Sequence, residues 1–158
     1  MRPDIYIAPC ELGRGVFAIR DYRAGELILI LHGPRIERTD PLHACPEGAN
    51  LLQTGPRTYI KLEAPGVFFN HSCRPNAGIM ANRRLVALRD ITAGQEIRFD
   101  YSTTMDEDFW TMPCRCGEEE CRGVVTDFKY LPADLRRRYL DLGVVQRFIA
   151  RRYRRQCC

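Results

Sequence analysis

Apolar positions in the first hundred residues recur with a period of two or in short runs, the spacing of strands. Residues 16–19, 26–31, 59–62, 77–80, 85–88 and 96–101 each read as a strand, several bounded by Gly, Pro or Asn-Arg turn signals. Between Gly33 and Pro56 the pattern is irregular and predicts loop with one short helix. After Cys121 the period becomes helical. Leu135, Tyr139 and Leu142 form a stripe that begins behind Pro132, a first-turn proline, and ends at Gly143. A second helix follows, with Val145, Phe148, Ile149 and Arg152 on one face and arginines on the other. These stripes read as docking surface.

One internal echo stands out. FAIRDYRAGELI (17–28) and VALRDITAGQEI (86–97) align without a gap: apolar strand, Arg-Asp, two residues, Ala-Gly, second strand. Each reads as a hairpin-like strand–turn–strand unit, with Gly25 or Gly94 at the position that needs positive φ. Two copies make no solenoid, but they predict a compact β domain.

Length and composition narrow the class. A chain of 158 residues with 45% hydrophobic and 28% charged positions is ordinary for one globular domain. The longest apolar run, residues 27–31, is far short of the ~18 residues that a membrane span needs. The opening MRPDIYIAPCELGRG has no apolar h-region, so no signal peptide is read and a cytoplasmic protein without membrane association is expected. The net charge of +4 is uneven: nine basic residues against three aspartates from Asp127 onward, and 15 basic against 17 acidic before it. Such a basic tail reads as a solvated helix face, or as a contact for an acidic partner or nucleic acid.

Three of the eight cysteines fall in CRCGEEEC, as Cys114, Cys116 and Cys121. Without a secretory signal, such a cluster points to metal rather than disulfides. Structural zinc takes four ligands in tetrahedral array, so the local motif is one short. Cys10, Cys45 and Cys73 are candidates for the fourth, with Cys73 favoured by its Pro- and Asn-marked turn; the alternative is a small buried hydrophobe. The terminal Cys157-Cys158 pair reads as exposed and unpaired, with no role.

Four motifs in order, GRGVFA (13–18), NHSCRPN (70–76), GQEIRFDY (94–101) and CRCGEEECRG (114–123), resemble the SET-domain protein lysine methyltransferases with a post-SET zinc motif. The resemblance covers residues 10–123. It implies a mainly β (α+β) fold of several small sheets, the β-clip, with the NHS segment threaded as a pseudoknot. The chain then divides into a SET domain (1–101), a post-SET zinc segment (102–123) and a C-terminal helical basic extension (124–158). Cys73 would join Cys114, Cys116 and Cys121 around zinc, so His71 and Cys73, two positions apart, are not a base and its nucleophile. S-adenosylmethionine would be the methyl donor, S-adenosylhomocysteine the product. Leu12, Gly13, Arg14 and Gly15 would hold its methionine end, Asn70 and His71 its adenosine, with Tyr59 lining the pocket and Trp110 and Arg115 covering it. Tyr101 matches the catalytic tyrosine, and Phe99 the aromatic that limits how many methyl groups the lysine channel admits. The usual Gly-Asn and Arg before NHS are missing from APGVFFNHS (64–72), and no cysteine-rich stretch precedes residue 10, which fits a minimal member.

The expected acceptor is a lysine presented by a protein, a histone or nucleosome among the candidates, with homodimerisation open. Two other readings compete. One is a non-catalytic SET-fold module anchored by its basic tail, which would have no need to keep Tyr101, Asn70 and His71 together. The other is a zinc-stabilised nucleic-acid-binding protein, disfavoured by the lack of interleaved aromatic and basic positions.

Overall fold

β1 (Ile5–Cys10) turns back through residues 11–12 onto β2 (Gly13–Ala18), in antiparallel register from Ile5 opposite Ala18 to Cys10 opposite Gly13. This first hairpin opens the computed structural model, which describes residues 3–154 apart from the side chains of 46 and 47. Arg155 and the Cys157-Cys158 pair lie outside the described residues. β1 escapes the sequence reading because Pro9 and Cys10 blur its alternation.

The repeated segments do not fold as two hairpins. They interlock, each closing the turn of the other. Tyr22 and Ile91 exchange backbone hydrogen bonds of 2.8 and 2.9 Å; the Gly25 amide donates to Ala87 as the Gly94 amide donates to Ala18, both at 2.8 Å. Side chains follow the same rule: Asp90 accepts from the Ala24 amide and Asp21 from the Ala93 amide, at 2.9 and 2.8 Å. Gly25 and Gly94 sit at φ +87° and +82°, where a Cβ is strained even in open space.

The interlock sets up the main sheet. β3 (Leu27–Ile30), from the first copy, pairs with β8 (Arg84–Ala87), which enters the second, and β8 pairs with β7 (Ala77–Met80). A second sheet, in the order β4 (Arg35–Glu37), β6 (Thr58–Lys61), β5 (Leu51–Gln53), occupies part of the span read as loop. Between β4 and β5 run two 3₁₀ turns, at Pro41–Ala44 and Pro46–Asn50. Three-residue strands carry too few alternations to register as a period. β9 (Met112–Pro113) and β10 (Val124–Val125) form a short ribbon around the cysteines.

Residues 96–101 do not form the expected ladder strand. The segment is extended, but its bonds alternate between neighbours: Ile97 donates to Val16, Phe99 to Asn70, and the Asn76 and Ala77 amides donate to Arg98. Phe99 meets His71 in a parallel bridge, and from Tyr101 the chain winds into a 3₁₀ turn, Tyr101–Thr104. A segment wedged between two partners makes single bridges rather than one ladder.

The β8-β7 part of the sheet β3-β8-β7 is buried on both faces. Ile79, Leu85 and Ala87 enter the main core with Tyr22, Ile91, Ile97 and Phe99; Val86, on the opposite pleat, enters a second core with Phe128, Tyr139, Val144 and Ile149. The helices α1 (Ala133–Asp141) and α2 (Arg147–Arg154) supply that second core. A Cβ on Gly78 would lie 2.7 Å from Val144 Cγ1, so the helix connection lies flat on the strand. The basic C-terminal segment is therefore a cover for the sheet, with its arginines outward. Leu142 departs from the expected stripe and stays exposed beside the helix end, where Gly143 takes φ +69°. No helix among the described residues is long and apolar enough to cross a membrane.

Reciprocal contacts predict equal costs. Gly25→Ala and Gly94→Ala should each lower unfolding free energy by about 1–2 kcal/mol, and the double variant by less than the sum, because the two turns share hydrogen bonds. Urea denaturation of the three proteins checks both the size and the equality.

Candidate active site

The NHSCRPN segment is held by its own side chains. Asn76 is buried and serves as a strand partner, donating from Nδ2 to the Glu96 carbonyl at 2.7 Å and accepting from the Arg98 amide at 2.8 Å. This pins residues 70–76 alongside 96–101. Asn70 donates to the Arg14 carbonyl at 3.0 Å and to Glu96 Oε1 at 2.8 Å, which ties the segment to β2. Gly15 leaves room there: a Cβ would stand 2.4 Å from Glu96 Oε1 and push that side chain aside.

His71 is 3% exposed and turned inward. Its Nδ1 accepts from the Tyr101 amide at 3.1 Å, which leaves Nε2 to carry the proton and donate to Cys73 Sγ at 3.4 Å. Burial pushes its pKa down to about 4, so the ring is neutral and its 3.5 Å approach to Asp100 is no ion pair. Asp100 accepts instead from the Ser102 amide, from Arg122 at 2.8 Å and from the Tyr139 hydroxyl at 2.9 Å.

Tyr101 starts the 3₁₀ turn that Asp100 caps. Its hydroxyl donates to the Phe69 carbonyl at 2.7 Å, and its ring lies 4.9 Å from Phe99 and 5.3 Å from His71. Burial holds the phenol well above its ordinary pKa, so it stays protonated. Tyr101 and Phe99 line a cavity of about 360 Å³, walled by Phe69, Met105, Phe109 and Trp110 and by the turn that leads into β5. Sequence reasoning missed Glu107 in this wall; a lone Glu in an irregular stretch carries no periodic signal.

A second cleft, of about 450 Å³, lies at the β1–β2 turn, lined by Glu11, Leu12, Glu96, Arg98 and Arg115 among others. The residues expected around a cofactor are therefore split. Leu12 and Arg115 line this cleft, and Gly13, Arg14, Gly15 and Asn70 adjoin it through β2 and Glu96. Trp110 stands in the aromatic cavity with Tyr101, apart from Arg115. Tyr59 is fully buried in β6, against His43. The His71 side chain lines neither cavity.

Cys73, Cys114, Cys116 and Cys121 converge, with all four sulfurs within 4.8 Å of one another and Cys73 Sγ 3.7 Å from Cys114 Sγ. A tetrahedron of Zn–S bonds of about 2.3 Å has edges of about 3.8 Å, so the cluster fits zinc. Burial works against ionisation of Cys116, but the Cys73 and Glu118 amides turned toward its sulfur bring it down to about 7. The Arg122 amide reaches Cys73 Sγ at 3.4 Å, and Arg98 bonds the Cys116 carbonyl at 2.8 Å. Cys10 and Cys45 stand outside the cluster.

A family model for the SET domain matches residues 13–102. The chain is similar to the histone-lysine N-methyltransferase trithorax of Drosophila virilis, 28% identical over 126 residues, covering 70% of this chain and 3% of that protein. It is similar to the H3 lysine-4 specific histone-lysine N-methyltransferase of Saccharomyces cerevisiae, 30% identical over 129 residues, covering 69% of this chain and 12% of that protein. The chain thus spans a small part of these relatives. A solved Plasmodium falciparum protein assigned as a histone methyltransferase superposes with a TM-score of 0.52 at 25% identity, covering 64% of this chain and 95% of that one. The fold is also that of KRYPTONITE, solved with mCHG DNA and SAH: TM-score 0.62, 20% identity, covering 80% of this chain and 30% of that one. The chain belongs to the SET-domain family.

Proposed function

We propose that this protein transfers methyl groups from S-adenosylmethionine to the side-chain amine of a lysine in a protein substrate. Tyr101 carries the reading. Its hydroxyl is held by the Phe69 carbonyl, beside Phe99, in the wall of an aromatic cavity, in a chain of the SET-domain family. The relatives named as histone-lysine N-methyltransferases support a histone as the substrate class.

The cleft at the β1–β2 turn suits the donor. Glu11 and Glu96 with Arg98 and Arg115 offer both charges that an α-amino acid end requires, and Gly15 removes the Cβ that would crowd Glu96. Leu12, Gly13, Arg14, Asn70 and Arg115 would hold it, with His71 contributing main chain. When bound, S-adenosylmethionine supplies an electrophilic methyl group on a sulfonium.

The chain's own residues prepare the nucleophile. A lysine amine has a pKa near ~10.4 and attacks only after losing its proton. Phe69, Phe99, Met105 and Trp110 disfavour the ammonium and lower that value. Tyr101 directs its proton to Phe69, so its oxygen is free to accept from an amine N–H and aim the nitrogen lone pair. Raised pKa excludes Tyr101 as base. Its contribution is alignment.

Zinc would be held by Cys73, Cys114, Cys116 and Cys121 with a closed shell, leaving no site for activated water. Its task is to fold residues 102–123. His71 transmits that order, joining Cys73 to the Tyr101 amide through one neutral ring.

Tyr101→Phe should reduce transfer of radiolabelled methyl from S-adenosylmethionine to core histones or lysate proteins by about 100-fold or more. The lost buried hydrogen bond should cost only about 1 kcal/mol of stability. A zinc-loaded parent that neither binds the cofactor nor transfers label would leave the non-catalytic module instead. For the metal, elemental analysis should return one zinc per chain. Chelation, or Cys121→Ser, should raise hydrogen exchange across residues 102–123 while leaving the β3-β8-β7 sheet protected.

A further inference from the structure

We infer that Glu107 is the residue in the aromatic cavity that meets the substrate ammonium and takes its proton, an inference that rests on the methyl-transfer reading above. The cavity that holds Tyr101 and Phe99 is otherwise apolar or neutral: among its described lining residues, Glu107 is the one carboxylate, with no lysine or arginine to compete for it.

The carboxylate is delivered there by design of the backbone. Asp127, 2% exposed, accepts from the Glu107 and Asp108 amides at 2.8 and 2.7 Å. Gln53, equally buried, accepts from the Asp106 amide at 2.9 Å. With its main chain fixed on both sides, the Glu107 side chain lies in the cavity wall. Behind it stands Tyr59, whose hydroxyl is buried beside the Glu107 carboxyl without closing a hydrogen bond of good geometry. The phenol is itself a donor, but its hydroxyl closes no bond of good geometry, so the half-buried carboxylate keeps room for a further donor, which an ammonium supplies.

The surroundings tune the carboxyl for the task. Burial raises its pKa to about 7; Asp127 raises it further, while Tyr59 and Arg38 oppose. Asp106 is engaged by Arg152, and Asp108 by Lys129 and Tyr130, so neither neighbour serves as the acceptor. His43 and Tyr101 face the same cavity. An ordinary glutamate, near ~4.3, is about 10⁶-fold too weak a base to deprotonate lysine; a carboxyl near 7 reduces the gap in the free site to about 10³-fold, and desolvation, which favours the neutral acid and amine, opposes the ion pairing that would widen it again. The step balances: the Lys Nζ–H bond breaks, the proton passes to a Glu107 oxygen, and the freed nitrogen lone pair forms the bond to the methyl carbon as the carbon–sulfur bond breaks. Glu107 then returns its proton to solvent at the cavity mouth.

Glu107→Gln keeps the volume and removes the base. Transfer to core histones, as kcat/KM, should fall about 10- to 100-fold at pH 7, with the deficit shrinking to about threefold at pH 9.5, where about a tenth of lysine is already neutral in water. A deficit equal at all pH values, or none, overturns the inference. A second readout needs no turnover. The ¹³C resonance of the Glu107 carboxyl, assigned by through-bond correlation to its own backbone amide, should titrate near pH 7 in the full chain. Adding n-butylamine, which carries the lysine side chain's ammonium, should shift that midpoint downward. An unmoved midpoint overturns the inference even if the variant fails to fold. A moved midpoint with no transfer by the parent overturns the methyl-transfer reading and leaves the ammonium site standing.

Discussion

One buried carboxylate holds three parts of this chain together. Asp100 is 1% exposed, in an interior where an unpaired charge costs several kcal/mol. Its hydrogen bonds come from separate regions: the Ser102 amide of its own turn, Arg122 behind the cysteines and Tyr139 of α1. Were any of these displaced, the charge would lose a donor it cannot replace from water. Asp100 therefore couples docking of α1 and closure of the cysteine segment to the position of Tyr101, the next residue in the chain.

The cysteine cluster acts on the same point from the other side. Cys73 belongs to the segment pinned against residues 96–101 by Asn76, while Cys114, Cys116 and Cys121 arrive from beyond the 3₁₀ turn. Joining them draws residues 102–113 across the mouth of the aromatic cavity, bringing Phe109, Trp110 and Glu107 to its wall. The Arg122 charge acts on Cys73 and Arg98 bonds the Cys116 carbonyl, so both would help to balance the two negative charges that four thiolates around a divalent ion would leave. His71 is the shared element, bonded to Cys73 on one side and to the Tyr101 amide on the other.

Much of this was legible in the residues. The clustered cysteines, and Cys73 beside them in a marked turn, stand together, because thiols spaced for one ion have few other uses. The echo at 17–28 and 86–97 signalled its two glycines, which both adopt the positive φ that the turns need. Its pairing was not legible. Period-2 patterning identifies a strand but not its neighbour, and each half closes with the other copy rather than with itself. The strands β4 and β5 and the bridged segment 96–101 were misread for a related reason: short or divided pairing leaves no periodic trace.

The amino-acid order alone determined the clustered cysteines, the glycine turns and the family motifs, because these are properties of single residues and their near neighbours. The tertiary structure alone decided what those residues face. Trp110 and Arg115, five positions apart, line different cavities; His71 turns toward sulfur; Glu107, an unremarkable acid in an irregular stretch, comes to rest beside Tyr59 and Tyr101. The reason is physical. Burial, and the shift of ionisation that follows from it, depends on which distant segments exclude water from a group, and no local pattern encodes that exclusion.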